Sequence, residues 1–335
     1  MRRGVNWGRM LASYGVVLAL LALILFGGLR YDNFLGSFNI LSVLRYNSMF
    51  ALISLGMCFV IITGGIDLSV GSVAALGSVV AAYASPYGLV PGLVAGVLAG
   101  LIAGTLNGLI ITRLKIMPFI ATLAMMLAAS GTALLLARNQ SIAVSYETAF
   151  TELGQGNLVG LPIPALIALL AYVLGSVVLN LSSTGRAVLA IGGSEDASRM
   201  MGLPVERITF LVYLASGGLA GLAGVILAAQ FGAGQPIEGV GWELFAIAAV
   251  VVGGTLLTGG AGSVVTTLAG VLLLGVVFNI LNFENGKGLI SLSAYWQSVI
   301  RGLFLLAVVL LQARLTHRVA GTAAAAPTPS ELARR

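Results

Sequence analysis

The chain of 335 residues is 59% apolar and only 8% charged, and it carries 45 glycines. Soluble domains hold roughly 25% charged residues because their surfaces meet water; with a mean hydropathy of +1.05, this surface mostly meets lipid, which excludes a soluble enzyme, a secreted module and a disordered scaffold. The net charge of +6 rests on 17 Lys and Arg spread without a dense patch, which sets nucleic acid aside and fits the bias of basic residues toward one face of a membrane.

About 20 helical residues cross a hydrocarbon core of ~30 Å. Runs of that order predict an all-α polytopic membrane protein of about ten transmembrane helices, at 11–29, 44–62, 67–83, 88–111, 116–137, 161–180, 207–229, 243–258, 263–281 and 293–312. The third and eighth are short, so they belong inside the bundle or re-enter it, because irregular backbone is tolerated only away from lipid. Ten spans put both termini on one side. With residues 1–10 cytoplasmic, that side collects twelve of the 17 basic residues, among them Arg2, Arg3, Arg113, Lys115, Arg186, Arg199 and Arg207. No small-residue cleavage site follows Leu29, so the first run reads as an uncleaved span. The membrane domain then covers 11–312, with an internal cytoplasmic loop at 181–206, and 313–335 is a cytoplasmic, largely disordered tail.

The second span runs into Thr63-Gly64-Gly65-Ile66-Asp67-Leu68-Ser69. Asp67 can cap the following helix by accepting its first backbone N–H groups, or line a transport route or gate. The fourth span carries Gly92, Gly96, Gly100, Gly104 and Gly108 at every fourth position, a stripe on one helical face that packs closely on a neighbour. Gly217 and Gly221 repeat that spacing imperfectly in the seventh span. A second turn, Thr258-Gly259-Gly260, echoes the first and hints at two related halves. Asn107, Thr122, Ser130, Gln230, Asn279 and Asn282 are polar groups at or near spans, suited either to interhelical hydrogen bonds or to a path for a neutral, hydroxyl-rich solute. Phe119, Phe210, Phe231, Trp242, Phe245 and Trp296 can stack on a sugar ring or anchor span ends, and Glu243 opens a span.

In the internal loop, Ser194 can cap a short helix with Glu195 and Asp196 in its first turn, ending near Gly202-Leu203-Pro204. Met200 and Met201 on that helix suit a protein contact. Chemistry is not indicated: the chain has one Cys, Cys58, one His, His317, and no Gly-Lys-Ser or Gly-Lys-Thr phosphate loop, so neither a Cys/His-rich metal site nor a nucleotide site of its own is expected.

Thr63 to Ser72, Asn107-Gly108 with Pro118 to Leu123, Gly239 to Glu243 with Ala246 to Thr255 and Gly259-Gly260, together with Thr184-Gly185-Arg186 and Ala190 to Gly193, resemble the membrane permease of bacterial ABC importers for monosaccharides of the ribose, xylose, arabinose and galactofuranose type. The resemblance implies a type II-like ABC importer permease in the bacterial inner membrane. It implies a second permease subunit, identical or similar, two cytoplasmic ATPase chains carrying ATP and Mg, and a periplasmic sugar-binding protein. No cofactor is expected on this chain. Glu195 to Gly202, including Asp196, becomes the coupling helix, approached through Arg186, Gly192 and Gly193. Asp67, Asn107, Phe119, Thr122, Gln230 and Glu243 become candidates for the translocation path or its gates, and the loop Gly232 to Gly241 a candidate contact for the binding protein. The family pattern has Asn at Ser194 and Gly at Thr266 or Thr267, so this chain departs from it there. The other reading open to the sequence is an ion-coupled secondary transporter of a small neutral polar solute, with Asp67 and Glu243 as coupling groups.

Overall fold

The computed structural model describes residues 7–286, with side chains from residue 15 onward, and positions 296, 299, 300, 302, 303 and 306. The chain divides into two units, residues 1–283 and 284–335. The first holds the helical bundle described below; in the second, the described positions beyond residue 286 are helical. Most of the predicted tenth span, 293–312, the tail 313–335 and residues 1–6 lie outside the described residues.

In chain order the helices are α1 Trp7–Arg30, α2 Ser37–Ile62, α3 Val70–Ala84, α4 Leu89–Arg113, α5 Pro118–Ala137, α6 Glu152–Gln155, α7 Ile163–Leu181, α8 Ser183–Gly193, α9 Glu195–Met200, α10 Val205–Phe231, α11 Trp242–Val252 and α12 Val264–Gly286. Among the described residues, four two-residue strands form two small antiparallel pairs: β1 Ile142–Ala143 with β4 Ala233–Gly234, and β2 Asn157–Leu158 with β3 Leu161–Pro162. Among the described residues, seven helical segments are long and apolar enough to cross a membrane: α2, α3 extended to Tyr87, α4, α5, α7, α10 and α12. The apolar part of α1 (Gly15–Arg30) and α11 are shorter. Each of the first nine predicted spans therefore corresponds to a helix, with shifted ends.

The centre is built from α2, α3 and α10, which are buried along most of their length, while α4, α5 and α7 keep an apolar outer face. Glycine sets the closest approach. Cβ atoms built on Gly100 and Gly217 would each strike the other's carbonyl, Gly217 would also lie 2.7 Å from the Gly104 Cα, and Gly221 2.7 Å from the Gly96 carbonyl. The stripe on α4 thus meets the imperfect one on α10 backbone to backbone, as small residues permit in a membrane. Gly224 meets α3 in the same way, against the Ala74 carbonyl. Elsewhere polar side chains join the helices. Asn39 and Asn279 exchange amide hydrogen bonds of 3.0 and 2.8 Å between α2 and α12, and the Tyr172 hydroxyl donates 3.0 Å to the Ala51 carbonyl between α7 and α2. Cys58 accepts from the Thr267 hydroxyl at 3.3 Å, so that Thr is used here to join α12 to α2.

The third and eighth predicted spans differ from the rest. After the first Thr-Gly-Gly turn the backbone enters the bundle without helical structure, and α3 begins beside Ser216 of α10, about 16 Å from the start of that helix at 1.5 Å per residue. Residues 232–241 enter from the opposite end. Gly234 lies against Ser78 and Val79, and Gly239 against the Gly71 backbone near the start of α3. There α11 begins, with Trp242 against Phe50 in the middle of α2 at a ring separation of 4.8 Å. Its 11 residues reach only about 16 Å, half a bilayer. The predicted 243–258 span is therefore helical only to Val252. Gly254, Gly259 and Gly260 take positive φ of 88°, 83° and 79°, which a continuing helix forbids. α3, which starts inside the bundle and runs about 22 Å, and α11, half a bilayer long, are thus two interrupted helices of opposite direction, the half-helices of this bundle, whose N-termini meet inside it. The two Thr-Gly-Gly turns lie at one end, but the first precedes its half-helix and the second follows its own, so they do not occupy equivalent places in a repeated unit.

Candidate functional site

At the end of the bundle that carries both Thr-Gly-Gly turns, the predicted loop 181–206 is almost wholly helical. Gly185 allows the sharp entry, since a Cβ there would strike the Val178 and Leu179 carbonyls. Ser182 caps α8 by accepting from the Gly185 amide at 3.0 Å. Ser194 caps α9 by accepting from the Ala197 amide at 3.2 Å, with Glu195 and Asp196 in the first turn and Arg199 in the last, the order that suits a helix dipole. The chain leaves α9 through Gly202, whose φ is 81°, while the Gly202 and Leu203 amides donate to the Arg199 and Ser198 carbonyls at 2.9 and 3.0 Å. The expected short helix is present with the expected cap and stop. That its approach, with Arg186 exposed on it, is itself the 11-residue helix α8 was not expected.

α9 stands on a chain of charges. Arg199 donates to Glu195 at 2.7 Å within the helix and also to Glu206 at the start of α10, and Lys115, beyond the end of α4, meets the same Glu206 oxygen at 3.0 Å. The hydrogen bonds it donates to Glu195 and then Glu206 hold the Arg199 guanidinium above its usual range. Each pair is open to water and worth little alone, but together they fix which face of the helix looks outward. That face carries Met200 and Met201, 83% and 70% exposed. Beneath it, a cavity of about 270 Å³ is lined by Thr63 to Gly65, the end of α4, Arg199, Glu206 and Tyr213.

Of the path candidates, Asp67, Asn107 and Thr122 come together and are buried. Asp67 Oδ1 accepts from the Ser69 amide at 3.0 Å and the Ser69 hydroxyl at 2.6 Å, and its Oδ2 accepts from Ser216 of α10 at 2.8 Å. Asp67 therefore closes the turn before α3 rather than capping the helix, because Ser69 occupies the cap position. Asn107 Nδ2 donates 3.0 Å to the Ser69 hydroxyl and the Thr122 hydroxyl donates 3.1 Å to the Ile66 carbonyl, so one turn is held by α4, α5 and α10. Glu243, in the first turn of α11, lies against Gly71, where an added Cβ would sit 3.0 Å from Oε2. Asp67 and Glu243 thus mark the facing ends of the two half-helices. The others stand apart. Phe119 is half exposed on α5, and Gln230 sits at the opposite end of α10, where its carbonyl accepts from Gln155 at 3.2 Å. The Lys115–Glu206 link was not legible, since no spacing rule connects residues so far apart; the Glu195–Arg199 link was, at i and i+4.

Residues 39–309 match the family described as branched-chain amino acid transport system / permease component. The chain is similar to the ribose import permease protein RbsC of Bacillus subtilis (strain 168), 41% identical over 313 residues that cover 92% of this chain and 95% of that one. It is 37% identical over 307 residues to the L-arabinose transport system permease protein AraH of Escherichia coli (strain K12), covering 91% and 92%. With the Escherichia coli (strain K12) ribose import permease protein RbsC it shares 36% over 304 residues, covering 88% and 92%. No solved structure matches.

Proposed function

The chain belongs to the branched-chain amino acid transport system / permease component family, and on that premise we propose that it is the membrane-spanning subunit of an ATP-driven monosaccharide importer. It is a transport subunit of the bacterial inner membrane and not an enzyme. In this reading the sugar comes from a periplasmic binding protein, ATP and Mg belong to a separate cytoplasmic ATPase, and a second permease subunit completes the path. The pentoses named by its relatives, ribose and arabinose, are the first substrates to test.

The observation that supports an ATPase motor over an ion gradient is α9: a capped helix on a charged base, offering two exposed methionines to a partner. Such a surface is costly to leave in water and adaptable when covered. Closure of the loaded motor would then push α8 and α9 and exchange the two access states of the path. Asp67 and Glu243, near the starts of the half-helices, are the groups whose movement would open it, and the outer entry of the 232–241 segment, before it turns into the bundle, is where the binding protein would engage.

Gentle extraction of the tagged chain followed by mass spectrometry tests the proposal. An ATPase copurifying at near one-to-one ratio, with ATP-dependent uptake of ribose or arabinose by the reconstituted complex, is expected. Uptake driven by a proton or sodium gradient without ATP would overturn it in favour of secondary transport.

A further inference from the structure

The two Thr-Gly-Gly turns and the end of α8 meet backbone to backbone. The Gly260 amide donates 2.9 Å to the Ile62 carbonyl, the last of α2. A Cβ on Gly192 would strike that carbonyl and the Gly260 amide together. One on Gly259 would come within 2.9 Å of the Gly64 amide, and one on Gly260 within 3.0 Å of the Gly193 Cα. Ordinarily a push between elements is partly absorbed by side chains changing rotamer. At these contacts backbone meets backbone with no side chain between, so a displacement either carries the three segments together or breaks the Gly260–Ile62 bond.

What lies behind each turn gives the contact its consequence. Ile62 leads through Asp67 to the start of α3, and Gly260 is joined through residues 253–259 to the end of α11. We propose that Gly192, Gly260 and the Ile62 carbonyl form a clasp that delivers one displacement of α8 and α9 to both half-helices at once, making the two glycines positioning residues for transport. This rests on the reading of α9 as the ATPase contact.

Hydrogen exchange on the purified permease–ATPase complex, with and without MgATP, tests both layers without knowing the sugar. Exchange over 183–200 is expected to change on ATP loading, and the turns at 60–66 and 255–262 to change with it. In Gly192→Ala the change over 183–200 persists while both turns lose theirs. Gly131→Ala, which adds the same methyl in open space on α5, behaves as the native chain. If the native turns respond separately, or if Gly192→Ala leaves their response intact, the clasp is wrong while the α9 reading stands. No response over 183–200 would remove the α9 reading and the clasp with it. Should Gly192→Ala fail to assemble, the joint or separate response of the native turns still decides.

Discussion

Asp67 and Ser194 show what single side chains contribute. The Asp67 carboxylate satisfies three donors in a buried setting, so Asp67→Ala leaves the Ser69 and Ser216 hydroxyls and one amide without their acceptor. Orphaned buried groups cost about 1–3 kcal/mol each. Asp67→Ala is therefore expected to lower the thermal unfolding midpoint in detergent, and Asp67→Asn, which keeps an acceptor, to lower it less. An unchanged midpoint with lost transport would make Asp67 a path residue alone. Ser194→Ala removes one cap, worth about 1 kcal/mol, and should raise hydrogen exchange in 195–200 with little change elsewhere. The Ser194 cap was legible because capping acts over three residues, whereas the helix cap expected of Asp67 proved to be a turn closure. The partners of Asp67 were not legible: Ser216 is 149 positions away, and nothing local points to it.

Helix by helix, hydropathy located the bundle and, by their shortness, marked the third and eighth spans as interior, but it missed where the eighth stops being helical. The run 243–258 reads as one apolar span because alanine and valine mask the point where Gly253 and Gly254 turn the chain. Composition reports what an element touches; here a half-helix packed in protein touches the same kind of atoms as a full span in lipid. The α9 elbow was clearer, since its cap, acidic first turn and Gly-Leu-Pro stop are contiguous. Arg199 is the element's fastening, with both carboxylate partners on it. Arg199→Ala is expected to leave the stability of the bundle little changed and to reduce ATPase copurification, more strongly at high salt, where the remaining Lys115–Glu206 pair is also screened. Full retention of the ATPase would remove α9 from the contact.

Across the whole molecule, stability depends on the α4–α10 seam. Gly217→Leu would force a side chain into the Gly100 and Gly104 backbone and should cost at least about 1–3 kcal/mol, read as loss of extractable folded protein. Gly131→Leu, with nothing within 4 Å, should be tolerated. The stripe on α4 was visible in the sequence by its period of four. Its partner was blurred by Gly218, which meets the Leu101 side chain beside the stripe on α4, and by Gly224, which meets the α3 backbone.

The middle of this seam, Gly100 and Gly104 against Gly217 and Gly221, puts backbone on backbone and has few ways to rearrange. It holds one spacing or parts altogether, so α4 and α10 behave as a single beam. Any alternation of access must then be a pivoting of lighter pieces against that beam, which serves as the fulcrum. Glycine, usually counted as the most pliant residue, here supplies the stiffest part of the machine.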